Sequence, residues 1–441
     1  MTARSSVASP GSTRTPTPGL YRLLDPAVLA NPYPLYRQLR GEDPVHWDPF
    51  LHAWVVTRYT DVVTVLQRFS AARTPDPEQM TAIGMQDFIP IARVMERQML
   101  FRDPPPHTRI RALAAKAFTP RRVEGLRQHI QEITDQLIAA VRAKDRMDVI
   151  ADLAAPLPAT VTAELLGVPV ADRDQLKAWT NSYIEVLGNF QHNPDHTARA
   201  LRTVAEMTAY FREKVGELRQ CPHDGLVNGL MTADDRGNRL SEDEVIANSI
   251  LTMAGGQETT TNLIGNGLLT LLRNPDHLRM LRDDPSLIPA AIEELLRYES
   301  PIQYTARLAP EDMTLGGQRI RARQAVMAVI GAANRDPQRF PDPDRLDFHR
   351  PDNRHVAFGW ATHFCFGAPL ARLEGQIAFE ALLQLPDLRL DSTLLVWQNN
   401  HGFRGLRSLA VTFGNTPLQL NDRLGRDRVD NNSAYASGRE S

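Results

Sequence analysis

The 441-residue chain is 42% apolar and 23% charged, ordinary globular usage that excludes a collagenous, fibrous or wholly disordered protein. Its 50 Lys and Arg against 52 Asp and Glu leave a formal charge of −2, which argues against bulk neutralisation of nucleic-acid phosphates. The two cysteines, Cys221 and Cys365, can build neither a disulfide framework nor a four-thiolate zinc or iron–sulfur site, and they point to a reducing compartment.

Residues 1–19 are rich in Ser, Thr and Pro and poor in large apolar side chains, so a disordered tail is expected there. No apolar core of the signal-peptide kind follows, and no run of about 18 apolar residues occurs. The chain therefore reads as cytoplasmic, with neither a membrane nor a nucleic acid as partner. Residues 52–57 (HAWVVT) form the first clear β run and residues 325–332 (AVMAVIGA) the second. Prolines act as punctuation along the chain. Asn31-Pro32, Asp103-Pro104, Asn274-Pro275, Asp284-Pro285, Ser300-Pro301 and Asp336-Pro337 bracket segments of helical period.

A complete helix start stands at residues 240–245. Ser241 can cap, Glu244 can bond back to it, and Leu240 can staple against Val245. The pattern runs to Arg273, and Glu258 is its one charge between Val245 and Leu272, so the helix should be buried on most sides. Residues 415–441 form a polar tail. The expected fold is mainly α with small β-sheets, one body over residues 20–414.

Three segments could carry chemistry. Within the long helix, residues 254–261 read AGGQETTT; adjacent glycines cost roughly 1 kcal/mol each in a helix interior. Either a neighbouring helix packs closely on them, or the helix is locally distorted to make room for a ligand. Glu258 beside Thr259 supplies an acid and a hydroxyl suited to passing a proton inward. Residues 358–374 read FGWATHFCFGAPLARLE, which puts Cys365 just ahead of a helix whose N-terminal N–H groups favour a thiolate. Gly359 and Gly367 permit close approach by a large flat ligand. Glu294 and Arg297 form an i,i+3 pair that would be weak evidence alone.

In this order the segments resemble the cytochrome P-450 family, the haem-thiolate monooxygenases of the soluble bacterial type. Phe358, Gly359, His363, Cys365 and Gly367 match that family's cysteine loop, with Ala361 in place of its second glycine. Gly256-Gln257-Glu258-Thr259 matches the oxygen-activation motif, and Glu294 with Arg297 matches the Glu-x-x-Arg motif. The resemblance implies a single large helical fold enclosing haem b (iron protoporphyrin IX), with Cys365 as the iron ligand. It implies His107, Arg111, Arg307, His355 and His363 as partners of the haem propionates, and Arg335 joining Glu294 and Arg297 in a structural network. Pro106 stands where relatives usually carry an acid. Glu258 and Thr259 become the proton-delivering pair.

The implied activity is insertion of one oxygen atom from O2 into a C–H bond or alkene of a small organic substrate, by analogy in secondary metabolism. The chain carries no nucleotide-binding fingerprint and no iron–sulfur cysteine set. Electrons from NAD(P)H must then arrive through a ferredoxin and ferredoxin reductase, or a flavodoxin. Seven basic residues against two acids between Arg102 and Arg127 offer an acidic partner a surface, or form a solvated helix face. Substrate contacts are expected near residues 75–100, 179–211, Ala254-Gly255 and 302–305, with Gln303 and Tyr304 either bonding substrate or satisfied by backbone. Competing readings are a haem-thiolate coupling, ring-forming or peroxide-driven enzyme, a non-catalytic haem or gas-binding protein, and a hydrolase with Cys365 as nucleophile.

Overall fold

A computed structural model describes residues 19–82, 84–188, 194–391 and 395–414. The two expected tails lie outside them, apart from Gly19, which is buried beside Asp48. Seven helices position the site: α1 (Pro106–Ala117), α2 (Pro156–Leu166), α3 (Arg173–Gly188), α4 (Pro194–Gln220), α5 (Glu242–Arg273), α6 (Ile288–Tyr298) and α7 (Ala368–Leu383). Proline opens α1, α2, α6 and α7 within the first two positions, where a missing N–H costs nothing. Pro106 is the first residue of α1.

α5 is the axis of the molecule, with α2, α3, α4, α6 and α7 all packed against it. It starts as its sequence predicts. The Ser241 hydroxyl accepts from the Glu244 N–H at 3.2 Å, and the Glu244 carboxylate accepts from the Ser241 N–H at 2.9 Å. Apolar side chains such as Ile250, Ile264 and Leu268 join the main core on several sides of the helix, which is why a long stretch carries almost no charge. The helix runs unbroken through its glycines, so neither of them interrupts it. Gly256 serves close packing instead: a Cβ there would stand 2.8 Å from the Thr162 hydroxyl of α2.

Four strands form the largest sheet: β1 (Val45–Asp48), β2 (Ala53–Val56), β3 (Thr305–Leu308) and β4 (Ala325–Ala328), in the order β1-β2-β4-β3. The two β runs read from the sequence are neighbours, paired in parallel from Ala53 with Ala325 to Val56 with Ala328. The second run ends early, because Ile330–Ala333 turn into a buried helical segment. A continuous apolar run does not distinguish those two outcomes. Smaller two- and three-stranded sheets flank this core. Among the described residues no helix is long and apolar enough to cross a membrane.

Candidate functional site

The loop ahead of α7 is built by its backbone. The Cys365 N–H donates to the Phe358 carbonyl at 2.7 Å, and the Phe364 N–H donates to Ala361 at 3.1 Å. Gly359 at φ +74° and Ala361 at φ +53° make the reversals that this closure needs. Alanine in the left-handed region costs roughly 1–2 kcal/mol relative to its favoured conformations. Ala361→Gly is therefore expected to raise the unfolding free energy by about 0.5–1 kcal/mol, net of glycine's greater unfolded-state entropy. A urea titration of the two proteins reads that difference directly.

Cys365 is accessible, yet protein crowds its surroundings, as for a side chain opening into an internal recess. Burial pushes its thiol up. The Gly367 and Ala368 N–H groups and the cations of Arg111 and Arg372 pull it down, but by less. The helix terminus thus acts as its sequence suggests and is outweighed by desolvation. Arg111 donates to the Phe364 carbonyl at 2.8 Å and lies over the Phe366 ring, braced against this loop.

Two adjacent glutamates of α6 clamp the loop and α7 to the rest of the protein. Glu293 receives both arms of Arg372 at 2.7 and 2.8 Å, and His355 Nε2 at 3.3 Å. Burial alone would raise the Glu293 pKa; these partners bring it down to about 2. His355 is occupied on both ring nitrogens, since Nδ1 accepts the Ala357 N–H. Glu294 pairs with Arg297 at 2.7 Å, both side chains wholly buried. Its second guanidinium is Arg350, at 3.2 Å, and not Arg335. Arg335 instead donates to the Tyr298 carbonyl and pairs with Asp344 and Glu299, because its side chain leaves the turn on the other side. The Asn334 carbonyl, one residue earlier, does accept from Arg297.

A second cluster gathers nitrogen donors with little to bond. His107 is buried with neither ring nitrogen partnered, and its ring lies 4.2 Å from that of His363, whose Nε2 is also unpartnered. Buried Arg307, on β3, spends Nη1 on Thr305 and Ala306, leaving Nε without a partner. Burial, then Arg307 and His107, push His363 down to about 3; burial brings Arg307 to about 10. Asp103 is the acid nearest this group, and its oxygens are held by Ser70 and the Ala71 N–H. The structure thus brings His107, Arg307 and His363 together, and a fourth predicted propionate partner, Arg111, is near enough for its charge to act on His107. It places Arg111 and His355 against the cysteine loop and its clamp.

On α5 the residues Gly255 and Thr259 share one face, four residues apart. A Cβ on Gly255 would meet nothing within 4 Å, and the half-buried Thr259 hydroxyl donates to the Gly255 carbonyl at 2.8 Å. Glu258 points elsewhere. Its carboxylate is buried between Lys177 of α3 at 2.7 Å and the Gln398 amide at 2.7 Å. Lys177, Gln398, Glu293 and Arg350 carried no signal in the sequence, since each is recognised by the charged or amide partner it meets across 56 or more residues. Gln303 donates its amide N–H to the Ser300 carbonyl, while its buried side-chain oxygen has no partner, so backbone satisfies only half of it.

Comparison with known proteins agrees with this site. The family model described as Cytochrome P450 matches residues 45–403. The chain is 42% identical over 372 residues to cytochrome P450 CYP107DY1 of Priestia megaterium, covering 82% of this chain and 90% of the relative. It is 38% identical over 396 residues to the polyketide biosynthesis cytochrome P450 PksS of Bacillus subtilis, covering 87% and 96%. The crystal structure of P450BioI in complex with a hexadec-9Z-enoic acid-ligated acyl carrier protein superposes with a TM-score of 0.83 at 38% identity, over 88% of this chain and 99% of that one. Haem is the group that this family binds, and the residues present fit it. An accessible sulfur flanked by N–H donors suits an iron, and buried, unpartnered nitrogens on His107, Arg307 and His363 suit two carboxylates.

Proposed function

The chain belongs to the cytochrome P450 family, and from that membership we propose that it is a haem-thiolate monooxygenase inserting one oxygen atom of O2 into a C–H bond or alkene of a small organic substrate, in the tailoring of a secondary metabolite. The observation that carries this reading is Cys365: one accessible sulfur in a closed backbone loop, with the Gly367 and Ala368 N–H groups aimed at it. Cys365 would hold the iron, with His107, Arg307 and His363 on the carboxylates. Arg111 and His355, through Phe364 and Glu293, would hold the loop. Bound haem supplies the activation of dioxygen and the oxidation of substrate. The test is the carbon monoxide adduct of the reduced protein. A thiolate-type spectrum is expected, and a colourless protein or a histidine-type spectrum overturns the reading.

The chain's own contribution is to position and to move protons. Thr259 holds its hydroxyl proton on the Gly255 carbonyl and must turn from it to serve the reacting atoms. Glu258 reaches the outside through Lys177, whose side chain is 21% exposed. Breaking that ion pair frees the carboxylate to exchange a proton with solvent and return it toward Thr259. Thr259→Ala is expected to keep the rate of NAD(P)H consumption within about threefold and cut product per NAD(P)H by about tenfold or more, since a positioned proton-transfer group contributes roughly 10²–10⁴-fold and water replaces part of that. Fully coupled turnover in that variant would remove Thr259 from the path.

Electrons come from NAD(P)H through a ferredoxin and its reductase, or a flavodoxin. The basic surface for docking is smaller than its sequence count. Arg109 pairs with Glu244, Lys116 with Asp235 and Arg127 with Glu124. Arg121 and Arg122 remain exposed, and with the exposed Phe364 ring of the cysteine loop they suit an acidic partner. The hydrolase alternative is not favoured, because His363, the histidine closest in sequence to Cys365, is turned against His107.

A further inference from the structure

Arg73 lies in the loop between Phe69 and the helix Pro77–Ala82. Its guanidinium carbon stands 4.4 Å over the ring of Phe101. Of its five N–H donors one makes a protein hydrogen bond, to the Ala71 carbonyl at 3.2 Å, and among the described residues no carboxylate lies within ion-pair reach. The charge that acts on it most strongly is of its own sign, Arg307; burial first and that repulsion second lower the Arg73 pKa to about 9. A crowded cation facing another cation is unfavourable unless an anion joins them. Arg73 is half-buried as a residue.

We propose that Arg73 binds a carboxylate of the substrate, so that the enzyme selects apolar molecules carrying an acid group and fixes which part of them reaches the oxidising centre. This rests on the monooxygenase reading above and adds a substrate class to it. The flat face of the guanidinium is taken by Phe101, which leaves its edge free for the two-point bonding that a carboxylate accepts.

Two carboxylates could claim that edge, one on the haem and one on the substrate, and position favours the second. His107, His363 and Arg307 already provide donors for the porphyrin. The Arg73 charge acts on Arg307 and also on the Tyr183 hydroxyl of α3. Tyr183 donates to Gln98, and Gln98 donates to the Ala247 carbonyl of α5. α3 and α5 are the helices joined by Lys177 and Glu258, next to Thr259. Arg73 therefore acts both on the propionate donors and on α3, the helix whose Lys177 holds Glu258.

The test titrates the holoenzyme with straight-chain acids from octanoic to hexadecanoic and with the matching primary alcohols, following the spin-state change of the haem. The wild type is expected to bind acids about tenfold or more tightly than alcohols. Arg73→Gln should remove that preference while leaving alcohol affinity within about twofold, and Arg73→Lys should retain part of it. A wild type without acid preference at any chain length overturns the proposal, as does a variant that loses both ligand classes equally. Haem transfer to apomyoglobin decides between the two carboxylates. Faster transfer from Arg73→Gln, with acid preference kept, assigns Arg73 to the porphyrin and overturns the proposal. Failure of the monooxygenase reading would show separately, as a wild-type carbon monoxide spectrum without thiolate ligation.

Discussion

Cys365→Ala abolishes the thiolate-type carbon monoxide spectrum and brings monooxygenase turnover below detection, while the fold survives. The reason for the separation is that the loop is closed by main chain. The Cys365 N–H still reaches the Phe358 carbonyl at 2.7 Å, Gly359 and Ala361 still supply the reversals, and Arg111 still holds the Phe364 carbonyl. The side chain contributes a sulfur that burial disfavours as an anion, so removing it costs the folded protein little. Haem content should fall without vanishing, because the donors on His107, Arg307 and His363 remain. Spectra of wild type and variant, with haem quantified per chain, check both parts. An unchanged spectrum would mean that another residue binds the iron.

Glu294→Gln has the largest expected effect on stability. The Glu294 carboxylate accepts from Arg297 at 2.7 and 2.8 Å, from Arg350, from the Asp347 N–H at 2.9 Å and from Asn353 at 3.1 Å. Arg297 and Glu294 are fully buried, and Arg350 has 5% of its side chain exposed. An amide there leaves two guanidinium groups in the interior without a compensating charge, a loss of about 3–5 kcal/mol. An exposed pair at the same spacing, Arg279 with Asp276, is worth only about 0.3–0.5 kcal/mol. The damage should reach the site. Arg297 also holds the Asn334 carbonyl, and the Asn334 side chain accepts the Val356 N–H at 2.8 Å, where the chain enters the cysteine loop. Haem incorporation is expected to fall together with the denaturation midpoint. A shift of less than about 1 kcal/mol would show that water or rearrangement satisfies Arg297, and that the network is not what braces the loop.

These two residues differ in how far their sequence announces them. Cys365 and the Ser241–Glu244 box were legible because each is a local pattern, in which turn residues and caps act on neighbours a few positions away. Glu294 and Arg297 were visible as a pair but not as a buried pair, since spacing is the same on a wet helix face and in a core. Their true third member, Arg350, lies 56 residues from Glu294. Arg335 was the wrong choice because a motif fixes the path of the backbone and not the side to which a side chain turns.

Sequence alone determined the family, the mainly helical body, the cap and extent of α5, and the sulfur ahead of α7. All of these depend on local spacing or on patterns repeated along the chain. Tertiary structure decided that Gly256 packs on Thr162 rather than bending α5, and that Ile330–Ala333 leave the sheet. It also decided that Glu258 is held by Lys177 and Gln398, and that Arg73 feels the charge of Arg307 and, among the described residues, pairs with no acid. The physical reason is that burial and charge pairing are properties of a place in space. Residues brought there from distant parts of the chain set them, and no spacing along the chain records that meeting.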